Sequence, residues 1–160
     1  CYNKPMMDFS QMFLHLVVAL FLGALMGLER ELAGKEAGIR TAMMVSGGAA
    51  IFSIIALQLP YIVGVSGANV EEILARNSGF LTVIANIVVG VGFLGAGIII
   101  KTEERVHGLT TAAVIWSVAA VGTLAGVGLL PFAFAAAITL SALLWFFRYI
   151  DIAGIVARRK

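Results

Sequence analysis

Residues 80–100 read FLTVIANIVVGVGFLGAGIII, an apolar run interrupted only by Thr82 and Asn86 and closed by Lys101. A helix needs about 20 mostly apolar residues to cross about 30 Å of hydrocarbon. This run has that length and carries no charge. In lipid every backbone polar group must be satisfied within its own segment, so the run is read as a membrane-spanning helix.

Four further runs of the same kind flank it: Phe9–Leu28, Thr41–Leu59 with Pro60 as its stop, Leu109–Val127, and about Leu130–Tyr149. Pro131 falls in the first turn of the last, where a helix tolerates proline best. The sequence predicts one all-α integral membrane domain over residues 1–160, a five-helix transmembrane bundle with spans about 9–28, 41–59, 80–100, 109–127 and 130–149. Composition agrees: 61% of the 160 residues are hydrophobic and 12% charged, with a mean hydropathy of +1.01. Soluble domains average about 45–50% apolar and about 25% charged residues. An ordinary cytosolic enzyme, a disordered regulator and a secreted disulfide scaffold are thereby excluded. Cys1 is the sole cysteine, so neither an intramolecular disulfide nor a cysteine metal cluster is expected. A net charge of +2 is too small for nucleic-acid binding by bulk attraction.

The first span reads as a true span, because its apolar run exceeds the roughly 7–15 residues of a signal-peptide core. Lys and Arg then set the orientation. Arg30, Lys35, Arg40, Lys101, Arg105, Arg148, Arg158, Arg159 and Lys160 fall on one side; only Lys4 and Arg76 fall on the other. The expectation is an N-terminus outside and a C-terminus in the cytoplasm, with the final Arg-Arg-Lys resting on anionic lipid headgroups. Between spans two and three, Asn69 and Glu72 have helix-capping spacing, and Val70, Ile73 and Leu74 share a face. A short interfacial helix over about 70–77 is expected there, ended by Gly79.

Small residues let helix backbones approach closely in lipid, where no hydrophobic drive holds helices together. Gly23 and Gly27, Gly122 and Gly126, and Gly90, Gly92, Gly95 and Gly97 are therefore expected at helix contacts, within the chain or across a homodimer. The string from Gly90 to Gly95 also has the G-x-G-x-x-G spacing of a dinucleotide fingerprint. It lies inside a lipid-length run without the strand, helix and acidic residue that the fingerprint requires, and is read as a packing surface.

Polar residues at membrane depth each have a structural and a functional reading. No Asp, Glu, Lys or Arg stands in the middle of a span. Ser46, Ser53, Thr110, Thr111, Ser117, Thr123, Thr139 and Ser141 can bond back to their own helices. His15 is read as a wet, interfacial residue, and Asn86 either as interhelical glue or as part of a permeation path. Charge gathers instead at the inner mouth. Glu29-Arg30-Glu31 ends span one and Arg40-Thr41 opens span two, so Glu29 either pairs with Arg40 or faces a polar cavity. His107 and Gly108 lead into Thr110 and Thr111, a helix start suited to an anion or phosphate, or simply capped by Thr110.

The strings Gly27-Leu-Glu29-Arg30, Ala37-Gly38-Ile39-Arg40-Thr41, Gly90-Val-Gly92-Phe93-Leu94-Gly95-Ala96-Gly97 and Gly108-Leu-Thr110-Thr111-Ala112-Ala113, followed by Trp116 and Ala119-Ala120-Val-Gly122, resemble the MgtC/SapB family of bacterial inner-membrane proteins. The resemblance covers roughly residues 20–128. It implies the family's five-span N-terminal membrane domain; the best-studied members add a cytoplasmic C-terminal domain with no counterpart in these residues. Members often carry an Asp and an Arg before a Gln in span three, where this chain has Gly79, Thr82 and Asn86.

The resemblance implies a role in magnesium homeostasis, survival inside macrophages, or modulation of complexes such as the proton-translocating ATP synthase. Two expectations follow. One is a passive Mg²⁺ path using Glu29, Asn86 and carbonyls along Gly90–Gly97, since Mg²⁺ takes oxygen ligands and retained waters. The other is a non-transporting regulator whose glycine-rich faces bind another membrane protein. No enzyme is expected, because no Ser/His pair or paired Asp shares a depth, and no resident cofactor other than Mg²⁺ itself.

Overall fold

The structure is a computed structural model that describes residues 7–63, 79–103 and 105–149. It contains five helices, α1 (Phe9–Leu32), α2 (Ile39–Val63), α3 (Gly79–Ile98), α4 (Leu109–Val127) and α5 (Leu130–Tyr149). All five are long and apolar enough to cross a membrane. Ile100–Lys101 (β1) and Val106–His107 (β2) form a minimal antiparallel hairpin between α3 and α4, with Ile100 opposite His107. The all-α expectation is correct apart from this clip. The interfacial helix expected at about 70–77 and the C-terminal Arg-Arg-Lys lie outside the described residues.

α2 begins at Ile39 rather than Thr41, and α3 runs from Gly79, its first residue rather than a break before it, to Ile98 rather than Ile100. Two larger differences arise because hydropathy and helicity are separate properties. α1 runs one turn past Leu28, through Glu29-Arg30-Glu31 to Leu32. Its stop is stereochemical. Gly34 takes φ +63°, the Lys35 N–H donates to the Arg30 carbonyl at 3.0 Å, and the Gly34 N–H donates to the Glu31 carbonyl at 3.0 Å. That pair of bonds is a Schellman closure, which glycine permits at no steric cost. α2 continues through Pro60 to Val63. Proline removes one backbone bond, whereas ending a helix orphans several carbonyls, so within an apolar layer continuation is the smaller loss.

α1, α2 and α4 form the tightly packed centre; α5 lies against α1 and α4, and α3 against α4 and, more lightly, α2. The centre depends on glycine. A Cβ on Gly23 would lie 2.7 Å from the Ala42 carbonyl oxygen, and one on Gly27 would lie 2.7 Å from the Ile39 Cα. On the other side of α2, a Cβ on Gly126 would lie 2.6 Å from the Ala50 oxygen, and one on Gly122 would overlap the Ser46 backbone. The two glycine pairs thus clamp α2 from both sides. Ser46 stands at the meeting point, fully buried. Its hydroxyl crosses to the Ala19 carbonyl of α1 at 2.7 Å rather than bonding back to its own helix. Ser53, Ser117 and Thr123 do bond back, to Ala49, Ala113 and Ala119.

Large apolar side chains point outward: Phe9 is 75% exposed, Trp145 64% and Phe93 83%. The interior is filled instead by Leu22, Met26, Val118, Val121 and a set of alanines. This inverts the pattern of a water-soluble domain and matches a bundle solvated by lipid. α3 is the least covered helix. Of Gly90, Gly92, Gly95 and Gly97, only Gly95 meets a neighbour, Ala112 Cβ at 3.5 Å; the other three have nothing within 4 Å. Among the described residues, a side chain at any of these three would meet no neighbour.

Gly126→Leu is expected to lower the unfolding free energy in detergent by about 1–3 kcal/mol, the usual range for overpacking. Gly90→Leu is expected to change it by no more than about 0.5 kcal/mol, as for an uncrowded site. Equal effects of the two substitutions in chemical denaturation would contradict this division of the glycines.

Candidate functional site: a polar cavity at the charged end of the bundle

The buried stripe of α1 is Ala19, Leu22, Gly23, Met26, Gly27 and Arg30. The spacing of three and four residues is that of one helix face, so Arg30 continues the packing stripe of the core. Its guanidinium is consequently taken out of solvent, and the residue is 4% exposed. Removing a charge from water costs several kcal/mol unless it is paired and hydrogen-bonded. The partner comes from α4, where Arg30 Nη2 donates to Thr111 Oγ1 at 2.8 Å. Thr111 is itself buried on the inward face of that helix, and its hydroxyl serves α1 rather than its own backbone.

Glu29 completes the cluster. Arg30 Nη1 lies 3.9 Å from Glu29 Oε2, with the two side chains 5% and 9% exposed. Successive helix residues do not face one another, and the contact is correspondingly long. It leaves Glu29 Oε2 and Arg30 Nε buried without a hydrogen-bond partner. This is the only ion pair among the described residues. Arg40, the other partner considered for Glu29, is exposed at the second position of α2 and makes no such pair. The extra turn of α1 accounts for the change, because it places Glu31 beside the start of α2. The Glu31 carboxylate accepts the Ile39 N–H at 2.9 Å, capping a helix whose first donors have no other partner.

A cavity of about 780 Å³ opens around this cluster, lined by residues from Glu29–Glu36, Val106–Thr111 and Leu144–Arg148. The sequence-derived candidates Glu29, Arg30, His107, Thr110 and Thr111 are brought together there. Lys35, Glu36 and Arg148 share its wall without having been singled out. The signal for them lay in the count of basic residues by loop, which had already placed Lys35 and Arg148 on the same side. Arg148 also donates to the Leu32 carbonyl at 3.3 Å, tying the end of α5 to the end of α1.

The remaining candidates lie elsewhere. Thr41, Asn86 and Gly90 border a second, almost wholly apolar groove of about 660 Å³ between α2 and α3. Glu29 and Asn86, the pair considered for a metal, therefore line different cavities. Among the described residues no group of three or more His, Cys, Asp or Glu is placed to hold a metal ion. Trp116 is 49% exposed on α4. His15 is half-buried at the other end of the bundle, its Nδ1 buried and unpartnered, with its ring against Gly128.

The comparisons with known proteins agree with one another. The chain is 36% identical over 133 residues to the SrpB protein of Synechococcus elongatus, covering 78% of this chain and 68% of that protein. It is 40% identical over 124 residues to the MgtC protein of Brucella abortus, covering 78% of this chain and 46% of that one. For the MgtC protein of Salmonella typhimurium the identity is 38% over 125 residues, covering 78% and 47%. The chain thus spans about half the length of these MgtC relatives. No solved structure matches it. The sequence profile of the MgtC family matches residues 16–152, which takes in α1 from Leu16 onward and all of α2 to α5, and the chain belongs to that family.

Proposed function

We propose that the chain is a regulatory membrane protein of bacterial magnesium homeostasis, seated in the inner membrane, which acts by binding another membrane protein through α3. The observation that carries this reading is the stripe Asn86, Gly90, Phe93 and Gly97. Its spacing of four, three and four residues places all of them on one face of α3, and all four are exposed. Phe93 projects, 83% exposed, between two glycines whose Cβ positions are open. A projecting ring flanked by two depressions is the relief that a neighbouring transmembrane helix fits. Asn86 adds an amide, which is costly to leave facing lipid and hydrogen-bonds readily across helices.

The Mg²⁺-path reading has less to draw on. The polar cavity that Glu29 lines and the groove that Asn86 lines share no residue. The two readings separate in one pair of experiments. A photo-crosslinker at Phe93 in living cells is expected to capture another membrane subunit, the ATP synthase implied by the family resemblance being the first to test. Gly90→Leu with Gly97→Leu is expected to abolish the adduct while the protein stays folded. Capture of a second copy instead would make the stripe a homodimer face. Mg²⁺ entry into liposomes holding the pure protein, abolished by Glu29→Gln, would overturn the regulatory reading in favour of a path.

The same geometry supports an orientation. Arg30 at the end of α1, Lys35 just beyond it and Arg148 at the end of α5 line the one polar cavity. We assign the end that holds this cavity to the cytoplasm by the positive-inside rule. With Cys1 replaced by serine, a cysteine at Ser10 is expected to react with a membrane-impermeant thiol reagent applied to spheroplasts, and one at Lys35 only after permeabilisation. The reverse pattern would invert the topology.

A further inference from the structure

We infer that the polar cavity is a binding site for the phosphate of an anionic membrane lipid. It rests on the geometry at the charged end and does not depend on what binds α3. Arg30 is 4% exposed and lines the cavity, with Nη2 committed to Thr111, Nη1 3.9 Å from Glu29 Oε2, and Nε without a partner. A buried guanidinium with an unused donor calls for an acceptor, and planar two-point recognition of phosphate is what arginine does best. Arg148 and Lys35 line the same cavity. The start of α4 also lines the cavity, and its first-turn N–H groups and helix dipole favour an anion.

Gly108 shapes that start. It takes φ +83°, and a Cβ there would overlap the Ile98 carbonyl, so the chain can turn into α4 at this point only with glycine. The Thr110 hydroxyl beyond it also lines the cavity.

The wall is half apolar. Leu109, Leu144 and Phe147 line it beside the cations, so the site offers an acyl chain a surface as well as a head group a charge. A free phosphate would leave that surface unused, which favours a lipid. Glu29 and Glu36 also line the cavity. Against Arg30, Lys35 and Arg148 they leave one formal positive charge among the Asp, Glu, Lys and Arg of the lining, which selects a lipid with net negative charge over a zwitterionic one.

The test is retention and affinity of lipids on the purified, delipidated protein, read by native mass spectrometry and by thermal unfolding. Phosphatidylglycerol is expected to bind about tenfold more tightly than phosphatidylcholine of the same acyl chains, one charge-assisted contact being of that order. Arg148→Gln is expected to erase most of this preference. Arg148 is exposed, so its loss should leave the fold intact. Arg30→Lys keeps the charge but loses the fork, and is expected to weaken binding where a pure charge effect would not. Competition by inorganic phosphate would keep the anion site but make its ligand soluble. Equal binding of the two lipids by folded wild-type protein, or an unchanged preference in Arg148→Gln, would overturn the inference.

Discussion

The structure depends on the approach of three backbones at Ser46. α2 can lie against both α1 and α4 only because each offers a pair of glycines at the crossing, and a side chain at Gly23, Gly27, Gly122 or Gly126 would occupy space filled by α2. Lipid tails are as apolar as leucine, so burying oily surface does not by itself hold helices together in a bilayer; close contact and interhelical hydrogen bonds do. The Ser46 hydroxyl donating to the Ala19 carbonyl supplies such a bond at the crossing itself. The same approach carries the end of α1 to the first turn of α4. Arg30 can be buried there because Thr111 is within 2.8 Å to receive its proton donor.

Most of the architecture is legible in the sequence because lipid imposes a single rule. The run at residues 80–100 can satisfy its backbone only as a helix, and the same holds for the four other spans. What escaped is stereochemical rather than hydropathic. The turn of α1 beyond Leu28 is polar yet helical because its stop is set by Gly34 in a left-handed conformation. Pro60 reads as a breaker but stands inside α2.

The candidate site was legible in its membership but not in its pairing. Glu29, Arg30, His107, Thr110 and Thr111 do meet in one cavity. Proximity along the chain favoured Arg40 as partner of Glu29, whereas the bond that matters joins Arg30 to Thr111, eighty-one positions away. No local spacing encodes that contact. The clue is that Arg30 falls on the same helical stripe as Gly23 and Gly27, so a charged residue sits where a packing residue is due. The glycines divide in the same way. Sequence treats all of them alike, while the fold uses Gly23, Gly27, Gly122 and Gly126 internally and leaves Gly90, Gly92 and Gly97 open. Among the described residues the self-packed centre is thus distinct from α3, which is covered only by α4 and, more lightly, α2.

The central claim is that glycine-permitted packing brings a buried arginine on α1 into a specific bond with α4. A double-mutant cycle on Arg30→Gln and Thr111→Val, measured as unfolding free energy in lipid bicelles, tests it most directly. A hydrogen bond to a charged group predicts a coupling of about 1–2 kcal/mol. Additivity within about 0.5 kcal/mol would mean that the two side chains do not interact and would contradict the account.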